Sequence, residues 1–148
     1  MNSNLLLISA LSVFLLCSCD DDSSDPEPSN LIELNQKKWE DSNISTYTYT
    51  YVSYPNDCPT ADAFPPVEIT IVENVITNLY VPDLGTTLDV STNSYPTIDD
   101  VFEGMNNKSE YLKGTPSFDE TFGYPINYET DISELECDGY SVTISSFI

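Results

Sequence analysis

The 148-residue chain has no histidine, and its only cationic side chains are Lys37, Lys38, Lys108 and Lys113, set against 25 acidic residues for a net charge of −21. Without histidine or arginine, Ser-His-Asp and Cys-His catalysis, imidazole metal sites and the guanidinium fork for phosphates are all excluded. The charge repels nucleic acid and anionic lipid headgroups, so neither is an expected partner. Long apolar runs are also missing, except for residues 5–16. That run is too short to stay in a bilayer as a span but long enough for a secretory signal.

The apolar run ends at Leu16-Cys17-Ser18-Cys19 and opens onto the acidic residues 20–25. Small Ser18 before Cys19, with Leu16 two residues further back, is the pattern of a bacterial lipoprotein signal. Cys17 is the poorer candidate because bulky Leu16 precedes it. The predicted organisation is a signal peptide over residues 1–18, then lipidated Cys19 and an acidic flexible tether over residues 19–29, then one domain over residues 30–148. About 130 residues remain after cleavage, enough for one modest core. The tether is acidic, holds Pro26 and Pro28 and has no apolar side chain to bury, so it is expected to stay extended. The expected location is the bacterial cell envelope, lipid-anchored at the outer membrane, with surface exposure a further expectation from the acidic run. The membrane is the expected partner, through the anchor.

In that oxidising compartment Cys58 and Cys137 are expected to pair. Closing a loop of about 80 residues constrains the unfolded chain and stabilises the fold by about 3 to 4.5 kcal/mol.

Asn30 with Glu33 predicts a capped helix over residues 31–42, with Leu31, Ile32, Leu34 and Trp39 as its apolar stripe. Tyr47, Tyr49 and Tyr51 alternate with Thr46, Thr48, Thr50 and Val52, the clearest strand in the chain. Val67, Ile69 and Ile71 form a second strand, which turns at Glu73-Asn74 into a third over residues 75–81. Residues 82–96 read as loop. Thr97 caps a second helix whose buried face is Ile98, Val101, Phe102 and Met105. Residues 114–119 and 124–130 predict strands around a turn, and residues 140–148 a last strand with Tyr140, Val142 and Ile144 on one face. The predicted fold is α+β, an antiparallel sheet of four to six strands with one or two helices packed on one face.

Trp39, the Tyr-x-Tyr-x-Tyr strand with Cys58 after it, Val67-Glu68-Ile69-Thr70-Ile71, Pro96-Thr97-Ile98-Asp99-Asp100-Val101-Phe102, Gly123-Tyr124-Pro125 and Tyr140-Ser141-Val142 form an ordered set of landmarks. Together they resemble a domain-of-unknown-function family of small bacterial secreted proteins and lipoproteins, over most of residues 35–148. The resemblance implies no activity. Where that family often places two closely spaced cysteines near the first strand, this chain has Cys58 alone.

Three candidate chemistries follow from the residues. Tyr47, Tyr49 and Tyr51 are a candidate ligand surface for a glycan or protein partner, or else the core beneath a helix. Glu129, Asp131, Glu134, Glu136 and Asp138 offer hard oxygens suited to calcium, although the spacing matches no EF-hand, and the same residues equally suit a solvated acidic loop. A carboxylate pair such as Asp119 and Glu129 is the one route to hydrolysis, but no spacing selects it, so no catalytic residue is assigned. The sequence favours a non-catalytic binding or envelope-associated module over a calcium-binding or structural surface protein.

Overall fold

The computed structural model describes residues 27–59, 62 and 64–148. The signal segment, Cys19 and tether residues 20–26 lie outside the described residues. Helix α1, Pro28–Ser42, starts two residues before the predicted cap Asn30, with Pro28 in its first turn and no side-chain cap at its N-terminus. The Asn30 cap is therefore wrong, as is the placement of Pro28 and Ser29 in an extended tether. Proline suits the first turn because its missing N–H would have had no helical partner there. The predicted stripe is also corrected at Leu34, which is 65% exposed, while Ile32 and Trp39 are buried. Positions 32 and 39 lie seven apart on one face of a helix, and position 34 lies off it.

The strands are β1 Tyr47–Pro55, β2 Val67–Val72, β3 Val75–Val81, β4 Thr86–Leu88, β5 Ser117–Phe118, β6 Pro125–Thr130 and β7 Tyr140–Ser145. They form one antiparallel sheet in the order β4-β3-β2-β1-β7-β6-β5. The class is α+β as expected, but with seven strands rather than four to six. The addition is β4, three residues inside the predicted loop, paired with β3. Glu73 and Asn74 both take positive φ, 52° and 64°, in the turn between β2 and β3. This is the primed turn whose twist matches a hairpin.

Helix α2, Ile98–Asn107, begins at a reciprocal capping box. Asp100 N–H donates to the Thr97 hydroxyl at 3.2 Å, and Thr97 N–H donates to the Asp100 carboxylate at 2.8 Å. Both helices cover the same sheet face. Tyr47, Tyr49, Val67, Ile69, Ile71, Leu79, Val81, Val142 and Ile144 rise from it to meet Ile32, Trp39, Ile98, Phe102 and Met105 in one core. Among the described residues no helix covers the opposite face, where Thr48, Thr50, Thr70 and Thr143 stand half-buried. Gly123, at φ 82°, passes so close to α1 that a Cβ there would sit 2.5 Å from the Asn35 carbonyl oxygen. No helix among the described residues is long and apolar enough to cross a membrane.

The Cys58–Cys137 disulfide forms across Cα atoms 4.4 Å apart. It joins the segment after β1 to the segment before β7, the two strands at the middle of the sheet. Replacing both cysteines by serine is expected to lower unfolding free energy by about 3 to 4.5 kcal/mol, read from urea midpoints at unchanged slope.

The buried tyrosines predict alkaline instability. Burial pushes Tyr47 up from 10.0 to about 12, with Asp99 and Asp100 adding to the rise against the opposing Ile98 N–H bond. Burial raises Tyr49 and Tyr128 still further. The folded state holds these phenol protons more tightly than the unfolded chain, so their stabilisation is intact below pH 10. The share of Tyr47 is lost as pH climbs through about 12. Urea midpoints at pH 8 and pH 11 are expected to fall steeply for the wild type, and less steeply for Tyr47→Phe.

Candidate functional site

Tyr47 and Tyr49 are 4% and 0% exposed, which removes both from the candidate ligand surface. Tyr47 stacks on Phe147 and meets the edge of Trp39 at a centroid distance of 5.3 Å. The period of two that put the tyrosines on one face also put them under both helices. Tyr51, the third of the set, is half-buried and packs against the edge of the same core.

Two cavities open beside Tyr51, and Tyr51 and Ser53 line both. One, of about 260 Å³, lies between the end of α2 and strands β1, β7 and β6, against Gly104, Lys108, Tyr128 and Tyr140. The other, of about 380 Å³, is bounded by Phe64, Asn93, Ser94 and Tyr95. Together they form a divided groove whose second half falls within the size of small-molecule sites, about 300–1,000 Å³. Tyr51 and Tyr95 meet edge to face at 6.1 Å and 88°, giving the groove two perpendicular aromatic walls.

Burial raises the Tyr51 phenol, with the Ser53 hydroxyl bond opposing it and the Tyr95 phenol adding to it. Burial raises Tyr128 as well, with Tyr51 contributing. Both phenols therefore stay protonated and keep an O–H to donate at neutral pH. Thr130, buried at 3%, adds a hydroxyl to the first cavity. The lining can stack against a ring and donate or accept hydrogen bonds. Among the described residues it carries no carboxylate pair for acid–base work.

The acidic candidates are only partly brought together. Asp131 and Asp138 meet Asp57, with one oxygen of each within 4.8 Å of the others. Glu134 and Glu136 line a shallow cavity beside them, of about 160 Å³. Glu129 lies on β6 opposite Ser141, facing away from the helices. Asp57 escaped the sequence reading because it is 81 residues from Asp138. The signal that locates it is the expected disulfide, since Asp57 precedes Cys58 and Asp138 follows Cys137. The cluster is largely spent on its own loop. Asp57 accepts from the N–H groups of Asp138 and Gly139 at 3.1 and 3.0 Å, and Asp138 accepts from the Ser133 hydroxyl at 2.6 Å. Lys113 pairs with one Asp131 oxygen at 2.9 Å, and the other, Oδ1, is buried without a partner. Calcium takes six to eight oxygens, whereas this set offers three carboxylates, two of them engaged as staples and the third paired with Lys113 through one oxygen.

Asp119 and Glu129 are not a catalytic pair. Asp119 accepts from the N–H of Thr121 at 2.9 Å and shapes the turn before β6. Its own N–H bonds the Tyr124 carbonyl. Glu129 is five residues further along the strand, about 16 Å at 3.3 Å per residue.

A family model described as a family of unknown function, DUF6174, matches residues 31–148. No curated protein and no solved structure matches the chain.

Asp57→Ala leaves the Asp138 and Gly139 N–H groups without their acceptors. It is expected to cost about 1–3 kcal/mol in chemical unfolding. Thermal midpoints of the wild type in chelator and in millimolar calcium are expected to coincide. A midpoint that climbs with calcium concentration would restore the metal.

Proposed function

We propose a role for this chain, which belongs to the family of unknown function DUF6174, as a lipid-anchored binding module of the bacterial envelope. Cys19 is the anchor, held at the outer membrane, and the acidic residues after it are the spacer that lifts the domain off the lipid. The domain presents the divided groove around Tyr51 to a ligand. The observation that carries the binding reading is this groove: aromatic walls and hydroxyl groups on the helix-bearing face of the sheet, beside the packed core. A purely structural role accounts for the core but gives the two cavities no purpose. The lining suits holding a molecule rather than transforming it, because no described residue there is poised to take a proton from a substrate at neutral pH.

The anchor rests on Leu16-Cys17-Ser18-Cys19. A single acyl chain binds membranes only marginally, so stable anchoring needs the multiple chains that a processed lipoprotein cysteine carries. Cells fed radiolabelled palmitate are expected to label the wild type and not Cys19→Ala, and the variant is expected to leave the membrane fraction. Equal labelling of the two would falsify the anchor.

A further inference from the structure

We infer that the groove binds a neutral oligosaccharide, an inference that rests on the binding reading above and names its ligand. The chain carries 25 acidic residues, yet among the described residues that line the two cavities there is no carboxylate. Lys108 is the one charged group there. A net charge of −21 repels anionic ligands over long range. A cationic ligand finds no carboxylate partner in the groove and meets the ammonium of Lys108. The lining therefore selects for an uncharged molecule.

The same lining rejects a purely apolar one. Ser53, Thr92, Asn93, Ser94 and the Tyr51 phenol border the larger cavity. Thr92 and Asn93 already donate to the Asp89 carbonyl at 3.3 and 2.8 Å, but covering the Ser94 hydroxyl and the remaining acceptor oxygens with hydrocarbon would take their water away without a substitute. A sugar ring satisfies both demands. Its C–H face lies against an aromatic ring while its hydroxyls exchange hydrogen bonds with side-chain hydroxyls and amides. Phe64 and Tyr140 are 58% and 39% exposed, one at each cavity, so a stacking face is available on both sides of Tyr51. That arrangement suits a chain of sugars more than a single one.

The test is calorimetric titration of the full chain, held in a polyoxyethylene detergent that carries no sugar headgroup. The probes are the neutral hexaoses of the malto, cello and chito series, tetramethylammonium chloride and a sulfated heparin hexasaccharide. Two variants control for the site. Phe64→Ala removes an exposed ring. Gly104→Leu projects a side chain into the smaller cavity from a position where an added Cβ meets nothing within 4 Å, and it replaces glycine by a better helix former. At least one neutral hexaose is expected to bind, with each variant weakening it about threefold to tenfold at a thermal midpoint no lower than that of the wild type. If tetramethylammonium or the sulfated sugar binds with that variant sensitivity and the neutral sugars do not, the saccharide inference is overturned while the groove reading survives. If no probe binds, or if binding ignores both variants, the groove reading falls and the inference with it.

Discussion

The fold turns on how the backbone enters α2. At residues 96–99 the chain leaves a polar loop and must start a helix against the sheet, with Ile98 buried and Pro96 half-buried, so that water has little access to their backbone groups. Two tyrosines of β1 supply what water would have supplied: the Tyr49 hydroxyl donates to the Pro96 carbonyl, and the Ile98 N–H donates to the Tyr47 oxygen at 3.1 Å. From the other helix, the Trp39 indole N–H donates to the Asp99 carboxylate at 2.8 Å. Sheet, first helix and second helix are thus joined at three residues, Pro96, Ile98 and Asp99. Unpaired, each buried group there would cost about 1–3 kcal/mol, so the junction fixes the position of α2 more tightly than apolar contact alone.

Fixing α2 at that end of β1 also determines what is left uncovered. Helix α2 starts over Tyr47, where the Ile98 N–H meets the phenol oxygen, and brings Gly104, with Lys108 just past its end, to the rim of the smaller cavity. Tyr51 and Ser53 lie further along β1 and line both halves of the groove, which is floored by the same strand that builds the core. One repeated Tyr-x-Tyr pattern therefore serves two environments, dry at Tyr47 and Tyr49 and half-wet at Tyr51.

Much of this was legible in the sequence where the pattern is local and repeated. The alternation around Tyr47, the Val67-Ile69-Ile71 strand and the Thr97 cap each contain their own explanation within a few residues. Other features depend on geometry that no window shows. The Asn30 cap looked sound until Pro28 began the helix earlier, and β4 is too short at three residues to display a period. Leu34 reads as core by residue type, but a turn of 100° per residue carries it to the solvent side. The groove draws Phe64, Tyr95, Lys108, Tyr128 and Tyr140 from separate segments, so only the tertiary fold assembles it. The Asp57 cluster was hidden in the same way, although the cysteine pairing pointed to it.

The disulfide has a mechanical consequence. Thr48 and Ile148 exchange backbone hydrogen bonds at 2.9 and 3.0 Å, so the β1–β7 seam is closed by hydrogen bonds at the end where the chain arrives from α1. Cys58–Cys137 closes it covalently at the other end, beside the groove. The ladder between these two closures cannot begin to open from either end without first breaking one of them. Fraying, the usual way an antiparallel pair comes apart, is thereby blocked at the centre of the sheet.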